Sequence, residues 1–167
     1  FRRLFLLLLS GSFSSSHLYS SCSSELVASS YSKNRSCPTG WSLYGSRCFL
    51  FQNIQKDWAS AELDCIALGA NLASIHSSDE HTFVKDLVNS KKGSYQRTWV
   101  GCHDGVKDGV WQWSDGSKFD YVKWGSVEPN NYGGNEDCME INIAGSIQHM
   151  NDEKCETNRY SICAKNA

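Results

Sequence analysis

An α+β fold in one domain is predicted by three features of this chain. Two segments with helical periodicity come first, the second starting near Ser77. Short runs of strand character follow, and a long loop-rich stretch from Phe119 to Asp137 interrupts them. Eight cysteines among 167 residues add a disulfide framework that would staple the irregular parts. The expected architecture is therefore two helices, short antiparallel strands, a long loop region and cross-links between them.

The N-terminal Phe1-Arg2-Arg3-Leu4-Phe5-Leu6-Leu7-Leu8-Leu9 has a basic start and a short apolar run, with small residues after it. That is the layout of a secretory signal peptide, here placed over residues 1–20, and the run is too short to span a bilayer. Residues 21–36 are rich in Ser and poor in apolar side chains, as in a flexible linker. Asn34-Arg35-Ser36 is a sequon, so Asn34 is a candidate glycosylation site. The folded domain is expected over 37–167. An exported, extracellular protein with no membrane insertion follows from these features.

Within that domain, a Gly turn between apolar runs from Trp41 to Phe51 predicts a hairpin with cysteines near both ends. Asp57 can cap a helix from Trp58 to about Leu68, with Trp58, Ala61, Cys65 and Leu68 as its buried stripe and Gly69 as its stop. Ser77-Ser78-Asp79-Glu80 reads as a capping box for a second helix, whose stripe is Phe83, Val84, Leu87 and Val88. Strands are expected at Trp99–Cys102 and Val110–Trp113, with a turn at Asp115-Gly116. Met139, Ile141 and Ile143 alternate with polar residues like a half-buried strand, and Tyr160–Cys163 ends the chain in the same style.

Charge narrows the partners. Lys plus Arg total 16 against 18 Asp plus Glu, a net −2 with neither sign in blocks, which argues against a nucleic-acid surface. The densest chemistry lies between residues 128 and 155: Glu128-Pro129-Asn130-Asn131, Glu136-Asp137-Cys138 and Asn151-Asp152-Glu153-Lys154-Cys155. Carboxylates and side-chain amides without thiolate or imidazole suit a hard cation such as Ca²⁺. A Pro peptide between two of these donors can be cis, turning both neighbours the same way.

These residues together resemble the C-type lectin domain over about Cys37 to Ala164. The resemblance is carried by Trp41, Cys65, Trp99-Val100-Gly101, Glu128-Pro129-Asn130, Glu136-Asp137-Cys138, Asn151-Asp152 three residues before Cys155, and Cys163. The overall texture is similar to the small secreted lectins of fish. The resemblance implies the pairs Cys37–Cys48, Cys65–Cys163 and Cys138–Cys155. It leaves over Cys22, open to an interchain bond or to a bridge with Cys102, and Cys102 itself, a candidate buried thiol.

By the same resemblance, Glu128, Asn130, Glu136, Asn151 and Asp152 are expected to hold one Ca²⁺ and, through it, two vicinal sugar hydroxyls. In the family the Glu-Pro-Asn order accompanies equatorial 3- and 4-hydroxyls, as in mannose, whereas Gln-Pro-Asp accompanies galactose. Asp104, Asp108, Asn131, Glu136 and Asp137 occupy positions like an auxiliary Ca²⁺ site. One departure is Met150, where the family usually carries Trp before the Asn-Asp pair; His149 beside it is expected on an exposed or strand face. The expectation is a secreted Ca²⁺-dependent lectin for glycans of microbial surfaces or glycoproteins, acting by agglutination in innate immunity. It would act as a homo-oligomer, with Cys22 as the candidate interchain link.

Two rival classes stand beside it. A glycosidase built on Glu136 and Asp152 lacks a proton donor once both are ionised metal ligands, so no enzyme is expected. A non-sugar binder of the same fold, such as an antifreeze-like ice binder, or a galactose-type lectin, is the alternative.

Overall fold

A computed structural model describes residues 35–142 and 149–167. The signal peptide, most of the linker, Asn34, Cys22 and Ile143 lie outside the described residues.

The hairpin forms as β1 (Ser42–Tyr44) and β2 (Arg47–Lys56). Helix α1 (Trp58–Ala67) starts where expected because the Asp57 carboxylate accepts from the Ser60 amide at 2.8 Å. Its buried stripe differs from the expected one. Leu68 falls just beyond the helix and is 42% exposed, while Glu62 is buried. Glu62 is held there by two donors, the Asn71 side-chain amide at 2.5 Å and the Leu72 backbone N–H at 2.6 Å. It thereby anchors the short strand β3 (Asn71–Leu72), which the sequence pattern did not reveal.

Helix α2 (Ser78–Lys92) is capped by the Ser77 hydroxyl, which accepts from the Glu80 amide at 3.1 Å. The reciprocal bond of the capping box is displaced by one residue: Glu80 accepts from the His76 N–H at 2.8 Å and pairs with Arg47 at 2.7 Å. Val84, Leu87 and Val88 are buried, and Phe83 stacks on Tyr44 at the margin of the core.

The later strands are β4 (Thr98–His103), β5 (Gln112–Trp113), β6 (Cys138–Ile141), β7 (Asn151–Glu153) and β8 (Arg159–Asn166). The main path of the sheet runs β1-β2-β8-β4-β6-β7, with β3 added to β8 and β5 to β4. Its pairings are antiparallel except at β4–β8, which is parallel. The expected strand at Val110–Trp113 shrinks to two residues. Val110 instead donates to the Lys107 carbonyl in a turn and is 50% exposed. The strand at Met139 is buried on both faces rather than one, because Glu140 as well as Met139 and Ile141 is fully buried.

Gly101 is required by close approach. A Cβ there would sit 2.5 Å from the Leu72 carbonyl oxygen, so only glycine lets β4 cross this backbone. The main core gathers Phe49, Val84, Val88, Val100, Met139 and Ile162 between α2 and the sheet. A smaller cluster joins Ala61, Cys65, Leu72, Trp99 and Cys163 beneath α1. The three disulfides are Cys37–Cys48, Cys65–Cys163 and Cys138–Cys155, as the resemblance implied. Cys102 is a buried free thiol whose pKa burial pushes up. No described helix is long and apolar enough to cross a membrane.

Candidate functional site

The donor-rich loop and strand meet through register. On β6 and β7, Cys138 faces Glu153, Met139 faces Asp152, and Glu140 faces Asn151. The Cys138–Cys155 bond ties the two strands at the loop end. The loop from Glu128 to Asp137 therefore enters β6 opposite Glu153, one residue from the Met139–Asp152 pair.

Asp152 is the hub. Its carboxylate is almost fully buried and accepts from the backbone N–H of Asn130 at 3.1 Å and of Asn131 at 2.6 Å. This clasps the loop around the cis Glu128–Pro129 peptide. Glu136 accepts from the Tyr132 N–H at 2.7 Å, and its own N–H donates to the Asn131 side chain at 3.1 Å. Glu128 has a buried Oε2 with no hydrogen-bond partner. Burial, followed by the neighbouring Asp152 charge, raises the Glu128 carboxyl above the ordinary glutamate range. Burial also raises Glu136, and the charges of Asp152 and Glu153 act in the same direction. Glu128 and Glu136 thus both feel the Asp152 charge, and the Asn130 N–H bonds the Asp152 carboxylate. The Asn151 side chain instead donates its amide to Glu140 at 2.9 Å.

The second predicted set is contiguous with the first. The Asp104 N–H donates to the Asp137 carbonyl at 3.0 Å, and the Asn131 amide lies 3.5 Å from Asp108. The Asn131 side-chain oxygen accepts from the Glu136 N–H. Asp104 accepts from the Gly109 N–H at 2.7 Å through one oxygen, while its other oxygen is buried without a partner. Burial raises its pKa, with the Asp137 and Asp108 charges contributing.

Among the described residues, no three His, Cys, Asp or Glu side chains converge as they would around a bound ion. Backbone N–H groups take up oxygens of Glu136 and Asp152. The donor chemistry nevertheless fits a hard cation. Two orphaned carboxylate oxygens lie among like charges, where a positive charge would relieve both repulsion and lost solvation.

Met150, the departure from the family pattern, is fully buried. Its N–H donates to the Lys123 carbonyl and its carbonyl accepts from Gly125, both at 2.9 Å. His149 is half-buried, and burial lowers its pKa.

Sequence reasoning missed the polar network behind the site. Glu140 accepts from Arg159 Nε at 2.6 Å and pairs with Arg97, and Glu153 pairs with Arg159 at 2.7 Å. Burial raises the Glu140 carboxyl, while Arg97 and Arg159 pull it down. The available signal was slight: one Glu in an apolar run and two isolated arginines.

Elsewhere, Ser74, His76 and Asp120 stand at hydroxyl–imidazole and imidazole–carboxylate distances of 3.1 and 2.8 Å, beside a cavity of about 710 Å³. Ser74 is buried, donates its proton to Asp115 at 2.5 Å and accepts from Arg47 at 2.8 Å. Its hydroxyl is committed to structure, so these distances do not make a nucleophile.

Residues 54–165 match the family model for the lectin C-type domain. The chain is 48% identical to ladderlectin of Oncorhynchus mykiss over 139 residues, covering 83% of this chain and 72% of that protein. It is 47% identical over 131 residues to the galactose-specific lectin nattectin of Thalassophryne nattereri, covering 78% and 81%. Among solved structures, herring type II antifreeze protein aligns with a TM-score of 0.72 at 39% identity, covering 78% of this chain and 99% of that one. The fold, the three disulfides and these relationships converge: the chain belongs to the C-type lectin domain family.

Proposed function

We propose that this is a secreted, Ca²⁺-dependent carbohydrate-binding protein with a preference for mannose-type sugars. Glu128, Asn130, Glu136, Asn151 and Asp152 would hold the ion, which when bound supplies a Lewis-acidic centre for two sugar hydroxyls. The observation that carries this reading is the clasp of the Glu128-Pro129-Asn130 loop onto Asp152, with a Glu128 oxygen buried and unpaired beside it. In this reading Glu128 and Glu136 would accept from sugar hydroxyls and the Asn130 side-chain amide would donate. A second ion would fall to Asp104, Asp108, Asn131, Glu136 and Asp137.

A shallow site of this kind binds one sugar weakly, so agglutination of microbes or glycoproteins in innate defence would need several sites per particle. Cys22 is the proposed interchain link for such an assembly. Binding to galactose is the second reading, supported by the galactose-specific relative at 47% identity. Ice binding is supported by the likeness to herring antifreeze protein.

A glycan array with and without Ca²⁺ separates these. The expected result is retention of mannose-type glycans in Ca²⁺ and complete loss in EDTA. Galactose preference in Ca²⁺ would overturn the sugar class. Binding that survives EDTA would overturn the metal bridge, and thermal hysteresis without glycan binding would favour ice.

Acid should act with opposite signs on affinity and stability. Burial and the neighbouring acids raise the pKa values of Glu128 and Glu136, so both protonate in a window at higher pH than ordinary glutamates. Ca²⁺ affinity is expected to fall as pH drops through that window, because protons compete with the ion. The Ca²⁺-free protein should gain stability from these two groups over the same window, since its folded state binds their protons more tightly than the unfolded chain. Calorimetric Ca²⁺ titrations, and melting in EDTA of wild type against Glu128→Gln, test the two signs; matching signs would refute this account.

A further inference from the structure

We infer that Glu140 is a positioning residue of the cation site, setting which end of the Asn151 side-chain amide is available to the ion. This rests on the Ca²⁺ reading above and extends it to a residue outside the ligand set.

Glu140 faces Asn151 across the β6–β7 pair and is fully buried. Its Oε1 accepts from Asn151 Nδ2 at 2.9 Å and also meets Arg97, while its Oε2 accepts from Arg159 Nε at 2.6 Å. N–H donors therefore meet both carboxylate oxygens, and two guanidinium groups supply counter-charge to the carboxylate. An acceptor-only partner forces one orientation on a side-chain amide: the NH₂ turns towards Glu140 and the carbonyl oxygen turns away. The carbonyl oxygen is the atom that a hard cation takes from asparagine.

Glu140 is not a spare ligand. Its charge is matched by Arg97 and Arg159, and both arginines also reach Glu153, at 3.4 and 2.7 Å. Two acids and two bases thus form a neutral cluster behind the site. Its one contact with the proposed ligands through Glu140 is the Asn151 amide.

The test is Glu140→Gln. Glutamine has one acceptor oxygen, which the two guanidinium groups would claim. Its NH₂ would then face Asn151 and turn that amide over, withdrawing the carbonyl from the ion. The expected result is a weakening of Ca²⁺ affinity by about ten- to a hundredfold, measured by calorimetry. A second reading needs neither metal nor variant. In the Ca²⁺-free wild-type protein, the Asn151 side-chain NH₂ protons should be protected from exchange with water in NMR spectra. In a folded Glu140→Gln they should lose that protection.

Wild-type binding of Ca²⁺ with an unchanged affinity in Glu140→Gln would overturn the inference while leaving the lectin reading intact. Wild-type protein that binds no Ca²⁺ would overturn the lectin reading and remove the role with it. Should Glu140→Gln fail to fold, the wild-type spectrum decides: an Asn151 amide exchanging like an exposed one overturns the inference, and a protected one supports it.

Discussion

Asp152→Ala is expected to lower Ca²⁺ affinity by about a hundredfold or more and to abolish carbohydrate binding with it. The size follows from the two tasks this side chain performs. It is a proposed ligand, and it also accepts from the backbone N–H groups of Asn130 and Asn131. Removing the carboxylate deletes one charge from the ion's surroundings and releases the loop that carries Glu128 and Asn130. Two part-buried donors would lose their partner, each costing less than the about 1–3 kcal/mol of a fully buried one because water can reach them. Loss of the like charge beside Glu128 offsets part of that cost in the Ca²⁺-free protein. Calorimetry with Ca²⁺, alongside circular dichroism to confirm the fold, measures the effect. An affinity within threefold of wild type would mean that Asp152 is not the hub of the site.

The second large effect is on stability. Cys65→Ala with Cys163→Ala is expected to cost about 4 to 5 kcal/mol, because the bond closes a loop of 98 residues in sequence. Both cysteines are fully buried in the cluster that joins α1 to β8, so lost packing adds to the entropic cost. Urea unfolding under non-reducing conditions measures it against wild type. A loss below about 1 kcal/mol would show that the unfolded chain is already restrained without this bond.

Much of the fold was legible locally. Asp57 and Ser77 precede apolar residues at helical spacing, and both cap their helices as read. The hairpin at Gly45 and the strand at Trp99 carry signals within a few residues of themselves. What escaped was decided by partners far along the chain. Asn151-Asp152-Glu153 carries no strand signal of its own, being three polar residues in a row. They form β7 because Cys138–Glu140 offers a register and because Asn130, Asn131 and Arg159 satisfy their side chains. Val110 reads as strand, yet the turns that follow Asp104 hold it in solvent.

The candidate site divides along the same line. The identities of the oxygen donors, their spacing and their place on either side of Cys138 and ahead of Cys155 were set by the sequence itself, because chemistry of that kind is carried by residue type. Asp152 as the hub, the continuity of the two acidic groups through Asn131 and Glu136, and the role of Glu140 were decided only by the tertiary structure. A buried acid is tolerable where N–H donors or counter-charges meet it, and Glu140 has both. Arg97 and Arg159 reach Glu140 from opposite directions along the chain, and only the parallel junction of β4 with β8, beside β6, brings them to the same carboxylate.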